Sequence, residues 1–165
     1  MIGKAKIIIV DEDDNIIGLK ERGTLNSEDI YRVSALWIIN SKNEVLLAQR
    51  AFTKKNHPGL WGPAVAGTND KGETYESNII KEAEEEIGIK NISPLEIRKV
   101  KANSKYNHFT TWFLLKIDKE ISEFKKQDEE VEALKWIPIE ELRKAFKNSP
   151  EKYLKSMNED FLLNL

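Results

Sequence analysis

Four glutamates crowd one short stretch of the chain, at Glu82, Glu84, Glu85 and Glu86. On a helix that advances about 100° per residue, Glu82, Glu85 and Glu86 fall within an arc of roughly 100° and share one face. Carboxylates at this spacing repel one another. Because hard divalent cations such as Mg²⁺ prefer carboxylate oxygens, this face predicts a metal site, with a solvated acidic surface as the alternative.

The same stretch is part of a longer pattern of fixed residues. Gly67 is followed at set separations by Glu73, Lys81-Glu82-Ala83, Glu85-Glu86 and Gly88-Ile89. This pattern resembles the Nudix box, which would cover residues 67–89. Two positions differ mildly, because Lys81 stands where the family usually has arginine and Ala83 where it prefers a larger aliphatic residue.

The resemblance implies a loop-helix-loop that binds Mg²⁺ or Mn²⁺ on an α/β/α sandwich. The metal ligands that it implies are Glu82, Glu85, Glu86 and the carbonyl group of Gly67. It also implies that Glu73 pairs with Lys81 and so holds the loop on the helix. Lysine cannot form the planar two-bond bridge of an arginine, which bears on the rigidity of the site.

Segments outside the box resemble the Nudix branch that includes isopentenyl-diphosphate isomerase and its hydrolase-like relatives. The isomerase needs a cysteine to move a proton, and this chain has none, with Ala66 at the corresponding position. Other metal-binding and acidic positions of the isomerase are replaced by Thr24, Tyr31, Thr68, His108 and Thr110. Basic residues remain at its diphosphate-binding positions, namely Lys20, Arg50 and Lys54. The resemblance therefore implies a diphosphate substrate without isomerase chemistry.

The hydrophobic patterns around these residues predict a sheet covered by helices. Strands are predicted at KIIIV, after the DEDDN turn, in a hairpin through residues 33–51, and at PLEIRKVKA, HFTTWFLLKI and EALKWIPI. The loop FTKKNHPGLWGP is rich in Lys, Gly and Pro, so it is not expected to continue a central strand. The order of the elements predicts an α/β sandwich with a mixed central sheet.

Three helices are predicted. The first carries the glutamates: Thr74 or a neighbour caps its start, Gly88 ends it, and its apolar side consists of Ile79, Ile80, Ala83 and Ile87. The second covers residues 139–146 after Pro138. The third covers residues 150–165.

Composition narrows the classes of protein and partner. A chain of 165 residues is expected to form one domain over residues 1–165. Its net charge of -2 makes neither a nucleic-acid polymer nor an anionic membrane an expected partner. The absence of a stretch long enough to span a bilayer, and of a signal-peptide pattern, predicts a cytoplasmic location. A homodimer is left open by apolar residues near the C-terminus: Tyr153, Leu154, Phe161, Leu162, Leu163 and Leu165.

Together these features predict a Mg²⁺- or Mn²⁺-dependent hydrolase that cleaves the diphosphate linkage of a nucleoside diphosphate derivative or a similar organic diphosphate. The expected general base is Glu82 or Glu85. Outside candidates for the base are Glu129, Glu130 and Glu132. Two alternatives are a catalytically inactive module that binds a nucleotide and, least favoured, the isomerase.

Overall fold

The computed structural model describes residues 3–102 and 107–157. Within these ranges the strands are β1 (Lys6–Val10), β2 (Ile16–Glu21), β3 (Ile30–Ile39), β4 (Glu44–Arg50), β5 (Trp61–Pro63), β6 (Val65–Thr68), β7 (Leu95–Ala102), β8 (Asn107–Lys116) and β9 (Val131–Pro138). Helix α1 (Tyr75–Ile87) lies between β6 and β7, and α2 (Ile139–Asn148) follows β9. Short 3₁₀ turns cover Ile121–Glu123 and Pro150–Lys152.

The described strands form one mixed sheet in which β3 pairs antiparallel with β1 and β6 and parallel with β8. Strand β4 pairs antiparallel with β5 and β9. The predicted hairpin through residues 33–51 is correct only at its turn, since β3 and β4 share one registered pair, Ile39 with Val45. Beyond that pair each strand takes other partners, β6 along β3 and β5 along β4.

Helices cover both faces of this sheet. Leu36 of β3 belongs to the same buried cluster as Ile79 of α1. Its neighbour Trp37 belongs to a second buried cluster, which contains Leu142 of α2. Because successive side chains of a strand point to opposite faces, α1 and α2 lie on opposite sides of the sheet. The predicted α/β/α sandwich with a mixed sheet is confirmed.

Helix α1 begins and ends where its sequence predicts. The Thr74 hydroxyl oxygen accepts the N–H of Ser77 at 3.0 Å, and the Ser77 hydroxyl oxygen accepts the N–H of Thr74 at 2.9 Å. This reciprocal pair satisfies two N–H groups that the first helical turn leaves without partners. At the other end Gly88 adopts φ 72°, and its N–H donates to the carbonyl of Glu84 at 3.1 Å. Glycine adopts this left-handed conformation without steric cost.

The loop FTKKNHPGLWGP does not continue a central strand, but its last three residues form β5, a short strand at the end of the strand order. These residues pair with β4, Trp61 with Gln49 and Pro63 with Leu47. Proline has no N–H to donate to a neighbouring strand, so it is tolerated at the end of a strand, where that hydrogen bond is not needed.

The third predicted helix is wrong for residues 150–157. A 3₁₀ turn covers Pro150–Lys152, and Tyr153 then forms a parallel bridge with Trp61. The N–H of Leu154 donates to the carbonyl of Trp61 at 2.8 Å, so this backbone bonds to another strand instead of to itself. Residues 158–165, with four of the apolar residues on which the homodimer prediction rests, lie outside the described ranges. No helix in the described ranges is long and apolar enough to cross a membrane.

Candidate active site

A cleft of about 790 Å³ lies where α1 and β6 meet the segments that follow β4 and precede β9. Its acidic lining residues are Asp70, Glu82, Glu85, Glu86 and Glu130. Its basic lining residues are Arg22, Arg50, Lys54, Lys55 and Lys81. We call Glu82, Glu85 and Glu86 the acidic wall, and Arg22, Arg50, Lys54 and Lys55 the cationic wall. A cation and an anionic group can therefore be held side by side in this cleft.

The acidic wall is packed directly against the backbone of β6 at Gly67. A Cβ atom placed on Gly67 would lie 2.5 Å from Cγ and 2.8 Å from Oε1 of Glu82, far inside contact distance. A side chain at position 67 would therefore displace the carboxylate of Glu82 from its place against the strand. This contact brings the carbonyl-bearing backbone of Gly67 and the carboxylate of Glu82 into one place.

Glu73 and Lys81 are paired at the base of this wall. Lys81 Nζ lies 2.5 Å from Oε1 of Glu73 and 3.5 Å from Oε1 of Glu82. The other oxygen of Glu73 accepts the N–H of Asp70 and the side-chain amide of Asn78, each at 2.8 Å. Although burial acts in the opposite direction, the hydrogen bonds from Lys81, Asp70 and Asn78 lower the pKa of Glu73. Glu73 is therefore held as a charged anchor for the helix.

Two glutamates of the acidic wall, Glu82 and Glu86, have a raised pKa instead. Burial raises the pKa of Glu82; Lys81 opposes this shift and the charge of Glu85 adds to it. Burial, with the charges of Glu82 and Glu130, raises the pKa of Glu86 to about 8, while Arg50 and Lys54 act against the shift. Ionising both groups is costly because they are partly removed from water and repel each other. A cation in the cleft would offset this cost.

The donor set fits a hard divalent cation. In the part of the chain that the structure describes, no three acidic or histidine side chains are gathered around one point. Glu82, Glu85 and Glu86 nevertheless all line the same cleft. All of the predicted donors are carboxylate or carbonyl oxygens, which Mg²⁺ and Mn²⁺ prefer over nitrogen and sulfur. The residues present are therefore suited to one of these ions.

Two predicted substrate-binding residues face the acidic wall. Arg50 lies at the end of β4, and its Nε donates to the carbonyl of Asn56 at 3.0 Å. Lys54 Nζ donates to Oε2 of Glu130 at 2.6 Å. The third, Lys20, is not among the described residues that line the cleft, and its Nζ lies 2.7 Å from Asp29. Arg50 and Lys54 thus line the same cleft as the predicted metal ligands, whereas Lys20 does not.

The loop before β9 is tied to the end of α1 by its main chain. The N–H of Gln127 donates to the carbonyl of Glu86 at 2.8 Å, and that of Lys125 to the carbonyl of Ile87 at 3.0 Å. Among the three outside candidates for the base, Glu130 lines the cleft, whereas Glu129 and Glu132 are exposed away from it. Glu130 is therefore the acid of this loop that can contact a substrate.

Several residues of the site were not predicted from the sequence. Arg22 and Asp70 line the cleft, and Asn78 is fully buried one turn before Glu82. An asparagine within an otherwise amphipathic helix, on its buried side, is the signal that could have indicated Asn78, because a buried amide needs partners. Arg22 directly follows β2, two residues after Lys20, and no pattern along the chain indicates which of the two cations lines the cleft.

A second cavity, of about 220 Å³, lies beside β7 and β8. It is lined by Arg98, Val100, Ala102, His108, Thr110, Trp112, Lys155 and Ser156. Val33, which lines the cleft, is paired with Thr68 on one side and with Thr110 on the other, so these three side chains lie on one face of the sheet. His108 Nδ1 lies 3.0 Å from Thr110 Oγ1, and burial lowers the pKa of His108. The lining of this cavity combines apolar side chains with two cations, Arg98 and Lys155.

Comparison with known proteins places the chain among relatives that share its pattern of residues. A family model described as NUDIX domain matches residues 30–157. Prenyl-diphosphate phosphatase of Methanosarcina mazei is 32% identical over 159 residues, which cover 93% of this chain and 91% of that protein. Isopentenyl-diphosphate Delta-isomerase 1 of Photorhabdus laumondii is 36% identical over 103 residues. That match covers 61% of this chain and 58% of the isomerase.

A solved structure has the same fold over nearly the whole chain. The crystal structure of DR0079 from Deinococcus radiodurans superposes with a TM-score of 0.80 at 20% sequence identity. The superposition covers 96% of this chain and 97% of that one. The MutT protein of Methanosarcina mazei superposes with a TM-score of 0.64, also at 20% identity, over 81% of this chain and 91% of its own. At these identities the likeness concerns the fold alone.

Proposed function

The chain belongs to the NUDIX domain family, and from this premise we propose that it is a divalent-metal-dependent hydrolase of an organic diphosphate. The observation that carries the proposal is the cleft itself. Its acidic wall, on α1, faces the cationic wall across a space of about 790 Å³. A diphosphate with its metal ion needs both kinds of wall, because the ion binds carboxylates while the outer phosphate oxygens bind cations.

In this proposal the acidic wall and the Gly67 carbonyl hold Mg²⁺ or Mn²⁺. The ion, when bound, would polarise phosphate oxygens and lower the pKa of a water molecule. Glu73 and Lys81 fix the helix on the loop, and Asn78 joins them through its amide. The chain's own contribution is thus to hold the carboxylates against β6 before any substrate arrives.

The remaining roles concern the proton and the phosphates. Water attacks one phosphorus atom, its proton passes to a carboxylate, and the bond from that phosphorus to the leaving oxygen breaks. Glu82 or Glu85 is the proposed acceptor of the proton, with Glu130 as the acid on the opposite side of the cleft. Arg50 and Lys54 would bind phosphate oxygens and stabilise negative charge that develops on them.

The proposed class of organic group rests on the second cavity together with the activity of one relative. Val100, Ala102 and Trp112 give this cavity an apolar part, beside the cations Arg98 and Lys155. The relative from Methanosarcina mazei is a prenyl-diphosphate phosphatase. Both observations favour an apolar organic group, such as a prenyl chain, over the nucleoside that the sequence alone suggests. We therefore place prenyl diphosphates first among candidate substrates.

A metal-supplemented screen tests this function. Purified protein with Mg²⁺ or Mn²⁺ is expected to release phosphate from prenyl diphosphates, measured against nucleoside diphosphates, nucleotide sugars, dinucleotides and CoA esters. Glu85→Gln should lower kcat by about a hundredfold or more. Glu84→Gln is the matched control, because Glu84 lies on the same helix but pairs outward with Lys90 at 2.9 Å.

Two outcomes would contradict the proposal. If neither phosphate nor a nucleotide or other phosphomonoester is released from any compound of the panel, and Glu85→Gln behaves identically, the chain is not a diphosphate hydrolase. If calorimetry then showed diphosphate binding without turnover, the chain would be a binding module of the same fold.

A further inference from the structure

Arg22, the residue directly after β2, is a cation of the cleft whose side chain is free to exchange partners. Its backbone N–H donates to the carbonyl of Ala5 at 2.9 Å, so its main chain is fixed beside β1. Its side chain is 50% exposed, and Nη2 lies 3.0 Å from Oδ1 of Asp70. The backbone is thus fixed while the guanidinium group is held by one exposed ion pair.

Exchange of this ion pair for a phosphate contact is favourable. Exposed ion pairs contribute little to stability, because water screens them and the side chains lose entropy. A phosphate can accept two parallel hydrogen bonds from a guanidinium group, which are stronger. Asp70 is not left alone when Arg22 turns away, since Lys81 Nζ lies 3.9 Å from its other oxygen.

Lys20, two residues earlier, is held in a different way. Its Nζ lies 2.7 Å from Asp29, whose side chain is buried and also accepts the N–H of Asn26 at 2.8 Å. Although burial acts in the opposite direction, the hydrogen bonds from Asn26 and Lys20 lower the pKa of Asp29. Removing Lys20 from this pair would leave a buried carboxylate without its cation, which is costly.

We infer that Arg22, and not Lys20, is the residue at this edge of the cleft that binds a phosphate group of an organic diphosphate. Asp70 is the positioning residue that holds the guanidinium group at the cleft before the ligand binds. The identity of the ligand rests on the proposed function, but the role of Arg22 as an anion contact does not require turnover.

Calorimetry with methylenebisphosphonate, a diphosphate analogue that cannot be hydrolysed, and Mg²⁺ tests the inference on the full chain. Arg22→Ala should weaken binding by about tenfold, the loss expected for one charge-assisted contact. Arg22→Lys should fall between this variant and the wild type, because lysine keeps the charge without the planar fork. Lys116→Ala, at the exposed end of β8, controls for the loss of one positive charge.

The comparison with Lys20→Ala decides the outcome. A larger loss of affinity in Lys20→Ala than in Arg22→Ala would overturn the inference, as would unchanged binding by Arg22→Ala or an equal loss in Lys116→Ala. Thermal unfolding checks that each variant folds, and Arg22→Gln carries the same expectation if Arg22→Ala does not. The protein could bind the analogue through Arg22 and yet hydrolyse no diphosphate. That result would contradict the proposed function but would support the inference on Arg22.

Discussion

The acidic wall of the cleft comes from one helix, whereas the cationic wall comes from the end of β4, the loop that follows it and the residue after β2. On the acidic wall, Glu82 touches the backbone of Gly67, where no space remains even for a methyl group. On the cationic wall, Arg22 and Lys54 are held by ion pairs with partly exposed partners. The acidic wall, which would set the geometry of a bound ion, is held in place by packing. The cationic wall, which would bind a phosphate, is held by ion pairs that can exchange partners.

The largest expected effect tests whether packing fixes the acidic wall. Gly67→Ala would drive a methyl group into Glu82, so Mn²⁺ binding should weaken by about 10–100-fold, measured by calorimetry. Gly18→Ala is the matched control, because a Cβ atom at Gly18 meets nothing within 4 Å. Wild-type Mn²⁺ affinity in Gly67→Ala would show that the contact between strand and helix does not set the ligand positions.

A smaller effect is expected at the support of this wall, in Lys81. Lys81→Ala should weaken Mn²⁺ binding by about tenfold, because the helix loses the ion pair with Glu73 that supports the acidic wall. Lys90→Ala is the control, since Lys90 pairs only with the outward-facing Glu84 in the described ion pairs.

Lys81→Arg sharpens the same point. One oxygen of Glu73 already accepts two hydrogen bonds, from Asp70 and Asn78, so an arginine would find only the other oxygen available. We expect Mn²⁺ affinity within about twofold of the wild type. A large gain in affinity would mean that the lysine does weaken the site.

The smallest effect links the two walls through pH. Because burial raises the pKa of Glu86 from 4.5 to about 8, the folded metal-free protein retains a proton that the unfolded chain releases. Its stability should therefore fall as pH rises from about 5 to about 8, and Tm measured in a chelator should fall with it. Glu86→Gln should flatten this dependence, and Lys54→Ala should extend it to higher pH, because Lys54 opposes the shift. A Tm that falls equally in Glu86→Gln would assign the dependence to other groups.

The acidic wall could be predicted from the sequence and the cationic wall only in part. The helix, its caps at Thr74 and Gly88 and the shared face of its glutamates are local, so spacing along the chain determines them. Arg22 and Asp70 are 48 residues apart, and no local pattern connects them. Lys20 is kept away from the cleft by its ion pair with Asp29, and Asp29 is buried by tertiary packing, which the sequence does not show.

The same distinction explains the error near the C-terminus. Residues 150–157 have the composition of a helix, but their backbone finds partners at Trp61 on β5, far away in sequence. The helix propensity of this segment is overridden by pairing with β5, a long-range contact that the sequence does not reveal.

The hydrogen bonds between the loop before β9 and the end of α1 run from main chain to main chain, from Gln127 to Glu86 and from Lys125 to Ile87. Such bonds do not depend on which side chains the loop carries. Substitutions in this loop could therefore accumulate, during evolution or in an engineering experiment, while the loop stays attached beside the acidic wall. Preference among substrates could change there without loss of the ion site.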